Sequence, residues 1–334
     1  METTIEVTEP SQTAEVRRAI AELGRIHAMA DADIGRASLV GTELATNLVK
    51  YAKEGLVTVN WFTEGGTSGL QIIAIDKGPG FSNFHASIRD GHSTGGSLGI
   101  GLGTVMRTAD VFDAYSVESM GSALLARIFP RKCRLTVPGG TLLLGSRSLP
   151  KLGQQVSGDA WCYKLAGRWQ RVCVVDGLGH GPLAASASAE ALKVFKASLE
   201  KDMPVDILIK AHAALKSTRG AVMAVAAIDS AAGVALFAGV GNIAGIIFGG
   251  EKPQHLLSIE GTVGYNVRSF RQHEYAWHKE STLVMNSDGL STRWSLANLP
   301  GLLGKHPALA AAVLHRDFAR NSDDSTVVVA RAAP

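Results

Sequence analysis

The chain has 334 residues, of which 46% are hydrophobic and 19% are charged, and its formal net charge is +3. This composition supports packed cores and excludes a largely disordered chain. The charge is too small to indicate a nucleic-acid or membrane-surface partner, so we predict neither. Three cysteines without a CxxC motif or a Cys/His cluster predict neither a disulfide framework nor a zinc site. The polar start lacks an apolar signal core, and residues 235–250 are too short to span a bilayer, so we expect a cytoplasmic protein.

The first part of the chain alternates between helical and strand periodicity. The predicted elements are helices at residues 14–29, 33–51 and 101–109 and strands at residues 57–62, 70–75, 111–117 and 122–129. Residues 131–138 are basic and end in a Pro-Gly-Gly turn signal, which indicates a linker. We therefore predict two α+β domains, at residues 1–132 and 133–334.

The second part is rich in predicted strands, with two helical patterns between them. The predicted strands are residues 141–148, 160–165, 171–175, 222–229, 234–240 and 244–248, and the predicted helices are residues 183–199 and 205–216. No internal repeat is found, so the two parts are expected to be different α+β sandwiches.

One helix of the first part carries two polar residues on the same face. Glu43 and Asn47 lie four positions apart in ELATNLVKYA. A carboxylate and an amide oxygen there suit a general base and a Mg²⁺ ligand. Taken alone, a polar stripe on a surface helix explains the pair equally well.

Two glycine-containing motifs follow this helix. IIAIDKGPGF is an apolar strand that ends in Asp76, whose carboxylate can accept a hydrogen bond from the adenine amine, and its glycines allow close backbone approach. STGGSLGIGLGTV leads into a helix, whose N-terminal N–H groups can hold phosphates. The three elements in this order predict a nucleotide site.

These motifs resemble the Bergerat-fold (GHKL) ATPases, and within them the anti-sigma-factor serine kinases of the stressosome switch type, over about residues 10–130. The resemblance implies a Bergerat α/β sandwich with helices over a mixed sheet, binding ATP with Mg²⁺. It implies that Glu43 is the catalytic base and Asn47 the Mg²⁺ ligand. The residues that would form the rest of the ATP site are Asp76 at adenine, Gly78 and Gly80 at the pocket, a lid at 81–94, Gly96, Gly99 and Gly101 at the phosphates, and Ser122, where the family commonly has threonine.

The second part carries aspartates at the ends of predicted strands, in SGDAW, VVDGLGHG, MNSDGL and SDDSTVVVA. Each Asp-Gly alone is more often an ordinary turn. Carboxylates gathered at one sheet edge require cations to stay ionised, and oxygen ligands suit Mg²⁺ or Mn²⁺. Two such ions about 3.5–4 Å apart can activate a water for attack on phosphorus.

The aspartate motifs, with KSTRGAVMAVAAID and VGNIAGIIF, resemble the SpoIIE/type 2C metal-dependent phosphatases, and within them stressosome phosphatases, over about residues 135–332. The resemblance implies an α-β-β-α sandwich and two metal ions. The implied metal ligands are Asp176, which bridges both ions, the carbonyl of Gly177, Asp288 and Asp323 at the second ion, and Asp159. Asp323 is preferred to Asp324 because the first residue of the family's motif is the ligand.

Two residues of these motifs keep open roles. His180 in DGLGHG is either a general acid or, as we favour, a surface histidine, because the type 2C motif has its histidine directly after the glycine. Asn242 in VGN either orients a metal-bound water or caps a turn.

We predict a bifunctional partner-switching enzyme that phosphorylates and dephosphorylates serine or threonine on STAS-domain proteins, in a pathway that can include a sigma-factor regulator. The alternative is an active phosphatase whose first domain binds nucleotide or a partner without kinase activity. A scaffold with two inactive sites is disfavoured because Glu43, Asn47 and the metal aspartates are all present.

Overall fold

The computed structural model describes residues 2–64, 66–80, 101–131, 139–291, 294–320 and 322–333. The chain divides into two compact units, which are Met1–Val137 with Leu296–Val313, and Pro138–Ser295 with Leu314–Pro334. The boundary predicted at residues 132/133 falls in a stretch outside the described residues, so it stays a prediction. In the part of the chain that the structure describes, no helix is both long and apolar enough to cross a membrane.

The first unit combines helices with an antiparallel sheet. Its helices are α1 (Pro10–Ile26), α2 (Asp31–Tyr51) and α3 (Gly101–Thr108). Its strands are β1 (Glu2–Glu6), β2 (Leu56–Glu64), β3 (Thr67–Ile75), β4 (Val111–Val117) and β5 (Gly121–Ile128). Among the described residues the strand order is β1-β2-β3-β5-β4.

Local signals explain how these elements begin and which faces they bury. Pro10 occupies the first turn of α1, and the side chain of Gln12 accepts the backbone N–H of Glu9 at 2.6 Å, which satisfies a donor at the helix start. Apolar residues on α1 and α2, such as Ile20 and Leu44, pack with sheet residues such as Ile72 in one core. This apolar face positions α2 against the sheet.

Two features of the sheet differ from the prediction. Every pairing among the described strands is antiparallel, so the described part of this sheet lacks the parallel pairing expected of a mixed sheet. Strand β1 was not predicted, because Glu2–Glu6 (ETTIE) is largely polar. It lies at the sheet edge, where only Ile5 is buried and the remaining side chains are exposed, so its sequence carries no apolar alternation.

A segment from late in the chain completes the first unit. We call residues 296–313 the returning segment; it contains two short 3₁₀ turns at Leu296–Asn298 and Leu302–Gly304. His306 donates its backbone N–H to Asp113 Oδ2 at 2.7 Å, and Lys305 Nζ lies 3.3 Å from Asp113 Oδ1. These contacts join the returning segment to β4.

The second unit is built from two stacked sheets and two helices on one of them. Its helices are α4 (Pro182–Ala197) and α5 (Pro204–Ala214), and α6 (Pro307–Phe318) is divided between the two units. Its longer strands are β6 (Leu142–Leu149), β7 (Asp159–Ala166), β8 (Trp169–Gly177), β9 (Ala221–Asp229), β10 (Val234–Val240), β11 (Ala244–Phe248), β15 (His273–Ala276), β16 (Thr282–Asn286) and β17 (Ser325–Ala332). The two-residue strands are β12 (Gln254–His255), β13 (Gly261–Thr262) and β14 (Asn266–Val267).

The order of the strands places β8 and β9 in the middle of one sheet and β16 and β17 in the other. Over the described ranges the orders are β15-β10-β9-β8-β7 and β12-β11-β16-β17-β6. Strand β8 alternates its side chains: Val172 and Val174 pack with Met285 and Val328 of the facing sheet, whereas Cys173 and Val175 pack with α4 and α5. Together with α6, whose His315 contacts Ser325 of β17, this confirms the expected type 2C-like sandwich, which holds the acidic residues at one end.

A buried histidine lies beside the last strand. His315 on α6 has Nε2 2.9 Å from Ser325 Oγ. Burial, and then the positive charge of Arg147, lowers the pKa of His315 to about 3. The imidazole is therefore neutral in the folded protein near neutral pH.

Candidate functional sites

The first candidate site is built on one face of α2. Glu43 and Asn47 are half-buried and one helical turn apart. A Cβ added at Gly101, the first residue of α3, would lie 2.8 Å from Glu43 Oε2 and 3.7 Å from Asn47 Oδ1. Gly101 therefore lies directly beside the predicted base and Mg²⁺ ligand, and a side chain there would displace the Glu43 carboxylate.

Asp76 lies at the end of β3 with its carboxylate held in place. Oδ1 accepts the backbone N–H of Gly78 at 2.6 Å, and Oδ2 accepts a hydrogen bond from the hydroxyl of Ser122 on the neighbouring strand β5. Asp76 is only 6% exposed. The structure therefore brings together three residues predicted from two separate motifs, and it fixes the direction of the carboxylate that we expect to bind adenine.

The glycines around Asp76 are required by close backbone contacts. At Gly80 the φ angle is +73°, and a Cβ would lie 2.5 Å from the carbonyl oxygen of Val117. Sequence analysis missed Gly121, where φ is +89° and a Cβ would lie 2.0 Å from the carbonyl oxygen of Asp76. The signal that could have revealed it is the position of this glycine directly before Ser122, between two predicted strands. Gly96, Gly99 and the predicted lid at 81–94 lie outside the described residues.

The second candidate site begins with two facing aspartates. Asp159 is the first residue of β7, Asp176 is the last but one of β8, and the two are direct partners in the antiparallel register. Asp288 follows β16, and Asp323 precedes β17. The aspartates predicted as metal ligands thus lie at the ends of strands from both sheets.

Burial and mutual repulsion dominate the electrostatics of this site. Burial raises the pKa of Asp176 to about 8, with further contributions from the charges of Asp159, Asp288, Asp323 and Asp324. Burial likewise raises the pKa of Asp159 to about 7, against hydrogen bonding that lowers it. Without a counter-charge, the ionised forms of these carboxyl groups are disfavoured.

A serine that the sequence analysis missed orients Asp159. Ser287 is fully buried, and its hydroxyl donates to Asp159 Oδ2 at 2.6 Å while accepting the backbone N–H of Thr326 at 3.0 Å. The other oxygen, Asp159 Oδ1, is buried without a hydrogen-bond partner. Ser287 thus connects β7 in one sheet with β17 in the other, and leaves one carboxylate oxygen available to a cation.

The adjacent residues Asp323 and Asp324 have different surroundings. Asp324 is 3% exposed and accepts backbone N–H groups from Lys151 at 2.7 Å and Gly158 at 2.8 Å. Asp323 is exposed, and its Oδ1 accepts the N–H of Asp324 at 2.9 Å. Asp324 therefore holds together the loop that precedes Asp159, a role that the sequence analysis did not assign.

The remaining predicted residues lie near this cluster or on its edge. Asn242 donates to Asp288 Oδ2 at 2.7 Å, so it orients a predicted ligand. Gly177 packs so tightly that a Cβ would lie 2.1 Å from the carbonyl oxygen of Ala184 on α4. His180 is exposed on the loop after Asp176, and its role stays open.

The donors at this site fit a hard divalent cation. Across the described ranges, no three acidic, cysteine or histidine side chains converge closely enough in this arrangement to hold one ion. Nonetheless the donors are all oxygens, their negative charges interact, and Asp159 Oδ1 is buried without a partner. Mg²⁺ and Mn²⁺ suit such donors, and Mg²⁺ usually keeps several water ligands, so fewer protein ligands are needed for each ion.

Comparisons with known proteins find relatives for both parts of the chain. The family model "Stage II sporulation protein E (SpoIIE)" matches residues 167–333. Serine/threonine-protein kinase RsbT of Bacillus subtilis is 38% identical over 94 residues, which are 28% of this chain and 71% of RsbT. Phosphoserine phosphatase RsbX of the same organism is 26% identical over 144 residues, 43% of this chain and 72% of RsbX.

Two solved structures resemble a little over half of this chain. A chain from a structure of the bacterial stressosome is 28% identical, covers 57% of this chain and all of its own length, and has a TM-score of 0.53. RsbX in complex with magnesium is 21% identical, covers 57% of this chain and 96% of its own, and has a TM-score of 0.50, a likeness of fold alone. The chain belongs to the SpoIIE family of type 2C protein phosphatases and carries an RsbT-like domain before the phosphatase domain.

Proposed function

We propose that this chain is a bifunctional partner-switching regulator. Its RsbT-like domain phosphorylates serine or threonine on STAS-domain proteins with ATP and Mg²⁺, and its phosphatase domain removes such phosphates with two Mn²⁺ or Mg²⁺ ions. The observation that carries the phosphatase half is the facing pair Asp159 and Asp176, with one buried carboxylate oxygen left without a partner. The named relatives, a serine/threonine kinase and a phosphoserine phosphatase, support the pairing of the two activities.

In the phosphatase domain, the aspartates would bind the cations, and neighbouring polar side chains orient the aspartates. Asp176 and the carbonyl of Gly177, with Asp159, Asp288 and Asp323, would bind the metal ions. Bound metal ions supply a nucleophilic hydroxide near neutral pH and stabilise charge on the phosphoryl group. The chain's own contribution is orientation, because Ser287 fixes Asp159 and Asn242 fixes Asp288.

In the RsbT-like domain, we assign three roles to the first site. Asp76, held by Gly78 N–H and Ser122, accepts the adenine amine. Asn47 would bind Mg²⁺, and Glu43 would accept the proton from the hydroxyl of the protein substrate. The first described residue of α3, Gly101, lies beside this pair, and N–H groups at a helix N-terminus favour a phosphate.

One experiment on the full chain distinguishes the kinase activity from the phosphatase activity. Each variant is incubated with labelled ATP and a candidate STAS-domain protein, and the label on the substrate is measured. We expect Asp176→Asn to accumulate labelled substrate because removal of phosphate stops, and Asp176→Asn combined with Glu43→Ala to accumulate none.

Other outcomes of this experiment would change the proposal. An unlabelled STAS-domain protein with Asp176→Asn, together with removal of phosphate from a prephosphorylated substrate by the wild type, would replace the kinase half with a nucleotide-binding regulatory module. Full phosphatase activity of Asp176→Asn, or of the wild type in EDTA, would refute the two-metal phosphatase.

A further inference from the structure

The motif KSTRG lies in a turn whose backbone is fixed on both sides of Arg219. Thr218 Oγ1 donates to the carbonyl of Leu215 at 2.8 Å and accepts the N–H of Gly220 at 3.0 Å. Gly220 has a φ of +80°, and a Cβ there would lie 2.8 Å from the carbonyl oxygen of Val263. The turn therefore holds the backbone of Arg219 in one place.

This turn lies against the loop that follows the metal-binding aspartate. The carbonyl of Gly220 accepts the N–H of Leu178 at 3.1 Å, two residues after Asp176. The Arg219 guanidinium covers the same loop: its Nη1 would lie 3.1 Å from a Cβ added at Gly179, where φ is +90°. A glycine at position 179 thus leaves room for the guanidinium beside the phosphatase site.

The charge of Arg219 is available to a ligand. The side chain is exposed, and within the described ranges no hydrogen bond or ion pair involves its guanidinium. The proposed cations offset the negative charge of the aspartates, whereas a phosphomonoester brings up to two further negative charges. An arginine fork beside the site matches a phosphate in both charge and geometry.

We propose that Arg219 binds the phosphate group of the phosphoserine or phosphothreonine substrate and so positions it at the metal site. This inference rests on the proposed phosphatase function. Lys216 is the matched control, because it is an exposed cation three residues earlier in the same segment.

The test uses the full chain in Mg²⁺ buffer with two readouts. The first is the KM and kcat for 4-nitrophenyl phosphate, and the second is the increase in thermal midpoint caused by inorganic phosphate. Arg219→Ala is expected to raise KM on the order of 10- to 100-fold and to remove most of the phosphate-induced increase. Arg219→Lys is expected to recover part of both effects, and Lys216→Ala to change neither by more than about twofold.

Three outcomes would overturn the inference. The first is an unchanged KM and an unchanged phosphate-induced thermal shift in Arg219→Ala, and the second is equal effects of Arg219→Ala and Lys216→Ala. The third is a lower thermal midpoint of Arg219→Ala without phosphate at a constant KM, which would indicate a purely structural arginine. Failure of the phosphatase proposal is distinguishable, because a wild type without turnover can still show a phosphate-induced thermal shift that depends on Arg219.

Discussion

Replacing Ser287 with alanine tests whether the hydrogen bond to Asp159 controls metal binding. The substitution removes a donor to Asp159 Oδ2 and leaves the N–H of Thr326 without its acceptor in a fully buried position. An unsatisfied buried N–H costs about 1–3 kcal/mol, so the free energy of unfolding should fall by that amount. Loss of a partner that orients a metal ligand typically weakens metal affinity by about 10- to 100-fold, and we expect Ser287→Ala to lose affinity for Mg²⁺ in that range.

Ser281 provides a matched control for this prediction. It is also fully buried, and its hydroxyl accepts the backbone N–H of His278 at 2.8 Å. Within the described part of the chain, Ser281 makes no hydrogen bond to a carboxylate of the site. Ser281→Ala should therefore lose a similar amount of stability and keep its Mg²⁺ affinity. Denaturant unfolding in EDTA measures the first quantity and calorimetric titration with Mg²⁺ the second. Equal Mg²⁺ affinities for Ser287→Ala and the wild type would refute the reasoning.

Three further predictions address other parts of the chain. Asp324→Asn should lower the free energy of unfolding in EDTA by about 1.5–3 kcal/mol, because one of two backbone N–H groups loses its charged acceptor. Asp323 is exposed, so Asp323→Asn should weaken Mg²⁺ binding and leave the free energy of unfolding nearly unchanged. The reverse pattern would exchange the roles of the two aspartates. The pKa of His315 is lowered from 6.5 to about 3 in the folded protein, so its contribution to stability is present above the unfolded-state pKa and is lost as pH falls below that pKa. Between about pH 7 and pH 5, the free energy of unfolding of the wild type should therefore fall by about 2 kcal/mol relative to that of His315→Gln in denaturant unfolding. Parallel pH profiles of the two proteins would contradict this. Asp76→Asn should weaken ATP binding about 10- to 100-fold, measured by calorimetry. Glu43→Ala should leave the ATP affinity within about twofold of the wild type, because a general base acts in the chemical step. Unchanged ATP affinity in Asp76→Asn would refute the proposed contact between Asp76 and adenine.

The elements with strong local periodicity were predictable from the sequence. The helix predicted at 33–51 is observed as Asp31–Tyr51, and the strand predicted at 234–240 is observed with the same bounds. Both contain apolar residues that face a core, so packing and pattern agree. The polar edge strand β1 carries no such pattern, because its contribution to the fold is backbone pairing with β2.

The site residues were predictable only where a local sequence motif itself contains the proposed metal-binding or catalytic side chain. Asp159 and Asp176 stand out in the sequence because each is next to a glycine at one end of a predicted strand. Ser287 does not stand out, because its bond to Asp159 joins positions 128 residues apart and depends on how two sheets stack. The same holds for Asp324, whose partner Gly158 is 166 positions away. Local sequence patterns contain no information on such pairings.

The returning segment has a consequence for dissecting this protein. Because Leu296–Val313 belongs to the first compact unit, that unit is assembled from two stretches of chain that are far apart in sequence. A protease nick within residues 132–138 would leave each fragment holding part of the same unit. A recombinant fragment that stops near residue 132 would likewise leave Asp113 without Lys305 and His306. Separate expression of the two halves would therefore remove native contacts from the first unit even if each half were soluble.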